Sequence, residues 1–145
     1  MENENELLRR IEYLERALVT DSLTGAHNRY YFFNKIDLKH YQSWLMYFID
    51  LDNFKEINDD YGHAYGDQVL VRFACDLGQC LEVDDLLIRY AGDEFIIIAK
   101  EERNLKSNFI FSQGFVIIDG LDRSLMLEAA DRAMYLNKHL KVKND

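Results

Sequence analysis

Two acidic pairs stand where chemistry could be done. Asp50 and Asp52 close an apolar run over residues 44–49 (WLMYFI), and Asp93 and Glu94 sit at the tip of a segment over residues 86–99 that has the pattern of two strands about a tight turn. If those strands are neighbours, the carboxylates meet at one edge of a sheet. There they repel one another unless a cation lies between them, and hard oxygen donors of this kind suit Mg²⁺ bridging phosphate oxygens. Either pair alone reads as solvated turn residues. Together, and beside glycines, they read as a metal site.

The residues around the pairs fit an anionic ligand. Gly92 leaves the main chain open to a phosphate or base, although alone it would be an ordinary turn glycine. Asn53, Phe54 and Lys55 begin a helical turn directly after the first pair, so free amides and an ammonium could hold phosphate oxygens; exposed Lys55 is otherwise a solvated charge. Asn58 and Asp67 straddle the glycines of residues 61–66 (YGHAYG). An amide beside a carboxylate suits guanine, which offers adjacent N–H donors and a carbonyl acceptor. The competing reading makes Asn58 the end of one helix and Asp67 the cap of the next. His63 has no second histidine at metal-binding spacing and reads as a hydrogen-bond partner within the loop.

The elements that must position these groups are read from periodicity. Residues 4–20 place Leu7, Ile11, Leu14 and Leu18 on one seam of a helix, either packed on its own domain or serving as a dimerising stalk. Thr20 or Asp21 can cap the next helix, for which residues 28–39 have the pattern. A central strand over 44–49 leads to a short helical segment over 54–60, a glycine loop over 61–66, and a long helix opening at Asp67 and ending near Leu81. The hairpin, a strand over 109–118 and an amphipathic helix over 125–141 complete the chain. Strands joined partly by helices and partly by a hairpin predict a mixed or largely antiparallel sheet with helices against it.

Composition narrows the classes. The 145 residues are 48% hydrophobic and 13% aromatic, enough for one folded domain. The net charge of −9 argues against a nucleic-acid partner, which usually needs a basic stripe, and allows an anionic small substrate only with cations to offset the carboxylates. No stretch reaches the ~18 apolar residues of a membrane span and the first residues lack the apolar core of a signal peptide, so a cytoplasmic location is expected. Cys75 and Cys80, five apart on a helix, point in different directions and read as small buried hydrophobes.

The motifs in order are Asp21-Ser22-Leu23-Thr24-Gly25 with Asn28-Arg29, Asp50-Leu51-Asp52-Asn53-Phe54-Lys55-Glu56-Ile57-Asn58-Asp59, Gly62-His63-Ala64-Tyr65-Gly66-Asp67, Arg89-Tyr90-Ala91-Gly92-Asp93-Glu94-Phe95, and Ala130-Asp131-Arg132-Ala133-Met134-Tyr135 with Lys138. This series resembles the GGDEF family of diguanylate cyclases from residue 21 to residue 138. The resemblance implies an α+β fold, an α/β sandwich that is palm-like and ferredoxin-like, with a mixed or antiparallel sheet flanked by helices. Residues 1–20 would be the added helix and 21–145 the domain. It implies Mg²⁺, for which Mn²⁺ could stand in, bound by Asp50, the Leu51 carbonyl and Asp93. It further implies guanine recognition by Asn58 and Asp67, a triphosphate held by Lys138, Lys55 and amides near Asn53 and Phe54, and deprotonation of a ribose 3′-hydroxyl by Asp93 or Glu94. The reaction implied is condensation of two GTP molecules into cyclic di-GMP and pyrophosphate by a homodimer, each domain holding one GTP.

The sequence departs from the family pattern at four places. Ala91 stands for the first hairpin glycine. Glu82 occupies the arginine position of the Arg-x-x-Asp product-inhibition motif, here Glu82-Val83-Asp84-Asp85, so a dinucleotide anion would be repelled. Only residues 100–108 join the hairpin to the next strand, where the family usually has a helix; about nine extended residues span roughly 30 Å, enough to close the sheet with one thin face. Val142 replaces a basic residue expected four places after Lys138, for which Lys141 or Lys143 would have to serve. Three functions are compatible with these residues: a cyclase, a GTP-binding module acting through a protein partner, and a structural dimerisation unit built on the N-terminal helix. An upstream sensor or partner is not identified by the sequence.

Overall fold

The computed structural model describes the backbone of residue 1 and residues 3–144, and side chains up to Lys141. Helix α1 (Glu4–Val19) opens on a capping box, in which the Asn3 side chain accepts from the Glu6 amide and the Glu6 carboxylate accepts from the Asn3 amide. None of its residues is buried, and Leu7, Ile11, Leu14 and Leu18 remain about half exposed. The helix meets the rest of the molecule at its end, where the Asn28 side chain donates to the Leu18 carbonyl and Thr20 pairs with His27.

The second expected helix is shorter than its pattern. Helix α2 covers Arg29–Asn34 with Asn28 as its cap, and a separate 3-10 turn covers Leu38–Tyr41. The break has a local cause, since Asp37 caps the new turn by accepting from the Lys39 amide and lets Ile36 and Leu38 enter the core. Neither Thr20 nor Asp21 caps α2, and Thr20 ends α1. Asp21 instead closes its own turn, accepting from the amide and hydroxyl of Thr24.

Strands β1 (Leu45–Leu51), β2 (Leu86–Ala91), β3 (Glu94–Ala99) and β4 (Phe111–Ile117) form an antiparallel sheet in the order β2-β3-β1-β4. Helices α3 (Phe54–Tyr61) and α4 (His63–Gln79) cover one face, where Tyr47, Ile49, Leu51, Phe95 and Ile97 meet Val69, Leu70, Phe73 and Leu77. Helices α2 and α5 (Arg123–Asn144) cover the other, where Met46, Phe48, Ile88, Ile96 and Ile98 meet Phe32, Ala130 and Met134. Alternation along β1 therefore serves two cores, which is why its sequence is apolar at nearly every position.

Residues 100–110 carry the chain over β1 from β3 to β4 without a helix, as the short spacing predicted. The segment is pinned at several points. The Arg103 amide donates to the Tyr47 hydroxyl and its guanidinium to Asp85, Ser107 donates to Asp76, and Leu105 is buried. The face beyond it is thin, with Phe115 41% and Ile117 60% exposed.

Candidate nucleotide and metal site

The sheet brings the two acidic pairs together. Asp50 lies directly opposite Glu94 in the β1–β3 ladder, and the Leu51 amide donates to the Asp93 carbonyl at 3.3 Å. In a strand the amide and carbonyl of one residue point to the same side, so the Leu51 carbonyl also faces the hairpin. Asp93 titrates at about 7, because burial and then the neighbouring Asp50 and Glu94 disfavour its charge. Glu94 is raised for the same reasons, burial first, then Asp50 and Asp131, with Arg29 and Lys138 opposing. Asp50 Oδ2 accepts from Lys138 Nζ at 3.0 Å, while its Oδ1 is buried without a partner.

That orphaned oxygen, on a side chain beside the Asp93 carboxyl, is the feature a small oxygen-loving cation would satisfy. Among the described residues no group of three or more His, Cys, Asp and Glu side chains is poised to hold a metal. The donor set expected from the sequence does not need one, since it comprises two carboxylates and a carbonyl. Asp52 is not part of it. Its carboxylate is taken by the hydroxyl of fully buried Ser112 at 2.7 Å and by Lys141 at 3.5 Å.

Asn53 sits at φ +60° just before α3, a left-handed turn that asparagine tolerates, and its side chain leaves the helix uncapped. The first amides of α3, at Phe54 and Lys55, consequently remain free, shortly after Asp50 along the chain. Lys55 is exposed with no ion pair among the described residues. Lys138 on α5 reaches the same place from the opposite face of the sheet, and its own pKa is raised: burial acts against the charge, and Asp50, Asp52 and Asp93 outweigh it.

Two expectations about the glycine segment are corrected. There is no loop over 61–66, because α4 starts at His63 and only Gly62, at φ +89°, separates it from α3. Asp67 therefore lies inside the helix and caps nothing, and His63 is an exposed first-turn residue. The reason lies at Gly66, where a Cβ would overlap the Asn58 side chain and crowd Phe54. The glycine lets α4 pass close against α3, which a sequence pattern counts only as a helix breaker. With both capping roles gone, Asn58 is half-buried with its side chain against Gly66, and Asp67 is exposed one residue further along α4. Gly66→Ala is expected to cost about 2 kcal/mol by overpacking, with the Asn58 side chain pushed aside, and chemical denaturation measures the loss.

Gly92 is exposed, and a Cβ on it would meet nothing within 4 Å, so the fold does not demand glycine there. Its carbonyl accepts from Arg89 Nε at 3.0 Å, and Arg89 is in turn fixed by Asp21 at 3.1 Å. Nothing in the spacing of Asp21 and Arg89 along the chain marks them as a brace of the hairpin tip. A bulge between Arg89 and Ala91 turns the guanidinium toward Asp21, and bulges are not visible as a sequence period. The roles of Ser112 and Lys141 are hidden likewise, since only the register of β4 and the rotation of α5 bring them to Asp52. Val142 and Lys143 have side chains outside the described residues. Cys75 is exposed rather than buried, on the outer flank of α4, and Cys80 is half-buried.

The sequence profile described as "Diguanylate cyclase, GGDEF domain" matches residues 18–110, and the chain belongs to the GGDEF family. Response regulator PleD of Caulobacter vibrioides is 43% identical over 86 residues, 55% of this chain and 19% of that protein. Diguanylate cyclase DgcM of Escherichia coli is 39% identical over 93 residues, 60% of this chain and 23% of that protein. The chain thus spans about a fifth of the length of these relatives. The solved coiled coil and GGDEF domain of DgcB from Caulobacter crescentus, in complex with c-di-GMP, superposes with a TM-score of 0.82 at 26% identity, over 93% of this chain and 88% of that one. The profile match stops before β4 and α5, so the positions of Ser112, Lys138 and Lys141 rest on the fold.

Proposed function

We propose that this domain is a diguanylate cyclase, joining two GTP molecules into cyclic di-GMP with release of pyrophosphate, and that it works as a homodimer. The observation that supports this most is the meeting of Asp50 with Asp93 and Glu94 at the β1–β3 junction, a few residues before the free amides of α3 and the exposed ammonium of Lys55. Asn58 and Asp67 would receive the guanine edge. The amides of Asn53, Phe54 and Lys55, the Lys55 ammonium and the open backbone at Gly92 would hold the triphosphate, toward which Lys138 would turn from Asp50. Asp50, Asp93 and the Leu51 carbonyl would hold Mg²⁺, or Mn²⁺ in its place, which when bound supplies positive charge to the attacking and leaving oxygens. Asp93 or Glu94 would accept the proton of a ribose 3′-hydroxyl. That oxygen forms a bond to the α-phosphorus of the second GTP as the bond to the β-phosphate oxygen breaks, and the second GTP's 3′-hydroxyl does the same in return, so two pyrophosphates depart for each cyclic di-GMP.

Each domain offers one such site, so two must face each other, a geometry a twofold axis supplies. The exposed seam of α1 is the natural means, and residues 1–20 then act as the stalk of the domain formed by 21–145. Among the described residues no helix is long and apolar enough to cross a membrane, in keeping with a cytoplasmic site of action on GTP. Control by a partner is in keeping with diguanylate cyclase SiaD of Pseudomonas aeruginosa, solved with its activator SiaC, which is 25% identical with a TM-score of 0.76.

The second reading, a GTP-binding module without turnover that acts through a protein partner, is favoured by Lys141. This lysine is taken up by Asp52 and the Phe111 carbonyl instead of standing free for phosphate. Incubation with GTP and Mg²⁺ separates the two. Cyclic di-GMP and pyrophosphate identify the cyclase, and tight GTP binding without product identifies the module.

Asp93 makes the site sensitive to pH. Its folded pKa, about 7, lies above the ordinary carboxylate value, so its contribution to stability is full at acid pH and is lost as pH rises through 7. Metal binding needs the ionised form and runs the other way. Mg²⁺ affinity is expected to fall about tenfold per unit below pH 7, and calorimetric titration between pH 5.5 and 8 with a stable GTP analogue checks it.

A further inference from the structure

The end of the sheet away from the acidic site is unfinished. β4 is an edge strand. Ile118 and Ile110 bond inward to the β1 side, whereas the Gln113 amide donates outward to the Asn137 side chain and the Phe111 carbonyl accepts from Lys141. By the alternation of an antiparallel ladder, the amides and carbonyls of Phe115 and Ile117 also face outward, and they have no partner among the described residues. α5 shields the first half of the edge and leaves the second half open. A groove of about 710 Å³ lies there, lined by Tyr47, Leu105, Gly114 and Phe115 together with Glu102 and Arg103 among others.

The apolar surface continues onto α5. Ala133, Asn137 and Lys141 form the row that faces β4, as the contacts of Asn137 and Lys141 show. At 100° per residue, Leu140, Ala129, Leu136 and Leu125 form the adjoining row, turned out past the edge. Leu125, Leu136 and Leu140 are 58%, 57% and 60% exposed. In a chain of net charge −9 this flank carries no carboxylate: Glu128 pairs with Arg132 on the solvent side, and Asp131 lies toward Glu94.

We propose that two copies of this chain associate through this surface, β4 against β4 in antiparallel register with the α5 flanks packed beside them. A second copy is the occupant the observations select. An open strand edge asks for a strand, the adjoining leucine row asks for an apolar helix flank, and the same surface carries both, so a twofold axis matches each to its complement. Phe115 then opposes Ile117 of the second copy on the thin face of the sheet. Two acidic molecules repel least where carboxylates are few: the α5 flank presents none, and the groove beside it carries Glu102 next to Arg103. The exposed parts of these side chains from both copies amount to roughly 1,000 Å², the lower end of specific interfaces, so a reversible dimer is expected. β4 runs away from Asp52, and pairing at Phe115–Ile117 therefore leaves the acidic site open. The surface is separate from the α1 seam and does not depend on turnover.

The test uses the full chain with Ile11→Glu and Leu14→Glu to silence the α1 seam, studied by sedimentation velocity up to about 200 μM. This variant is expected to remain in a concentration-dependent monomer–dimer equilibrium, and addition of Ile117→Lys is expected to leave monomer only, with GTP affinity unchanged. Hydrogen exchange at the Phe115 and Ile117 amides is expected to slow about tenfold from dilute to concentrated protein, and to be independent of concentration in the Ile117→Lys variant. A purely monomeric Ile11→Glu/Leu14→Glu chain, or a dimer that survives Ile117→Lys, overturns the proposal.

Discussion

Replacing Asp93 by alanine is expected to lower cyclic di-GMP formation at least about a thousandfold while leaving the fold intact. The expectation rests on two properties of the side chain. It neighbours Asp50 at the β1–β3 junction, where the Leu51 amide bonds its carbonyl, so without it a cation loses one of its two carboxylates, and Asp50 Oδ1 has only Lys138's neighbourhood to offset its charge. It is also held against its own ionisation by burial and by Asp50 and Glu94, so its removal relieves repulsion and does not leave a cavity in a packed core. The thermal midpoint of the metal-free variant at pH 8 should match or exceed that of the parent. Product quantified by chromatography, beside a melting curve, checks both halves, and undiminished product would refute the assigned site.

A comparable loss, reached by a different physical route, is expected for Gly114→Ala. A Cβ on Gly114 would overlap the backbone of α5 at Ala133 and Met134. Backbone cannot rotate away as a side chain can, so α5 must lift from the sheet. The cost is put at about 3 kcal/mol or more, a drop in thermal midpoint on the order of 10 °C. Because α5 also carries Lys138 and Lys141, the same displacement withdraws both lysines from Asp50 and Asp52, and GTP affinity should fall with stability. Gly92→Ala provides the contrast. Its Cβ would meet nothing, so the melting curve should not move, and any loss of activity would report on the ligand alone. Scanning calorimetry of the three proteins decides the matter.

Association at β4 changes how the domain is assembled. A dimer through the α1 seam and another through the strand edge use different twofold axes, and two such contacts on one chain generate extended assemblies instead of a closed pair. Turnover would then depend on concentration through the α1 contact, and assembly size through β4.

What the sequence determined by itself is the set of groups and the order of elements. The run ending at Asp50, the hairpin carrying Asp93 and Glu94, and the positions of the strands and long helices come from periods of two and 3.6 and from turn residues, which are local properties of the chain. The helix that replaces the expected loop at 61–66, the brace from Asp21 through Arg89 to Gly92, the hold of Ser112 and Lys141 on Asp52, and the open edge of β4 were decided by the tertiary structure. Each depends on how closely two distant segments approach. A glycine at Gly66 looks like a helix breaker until Asn58 is seen to need its space, and Ile117 looks like a core strand residue until no helix arrives to cover it.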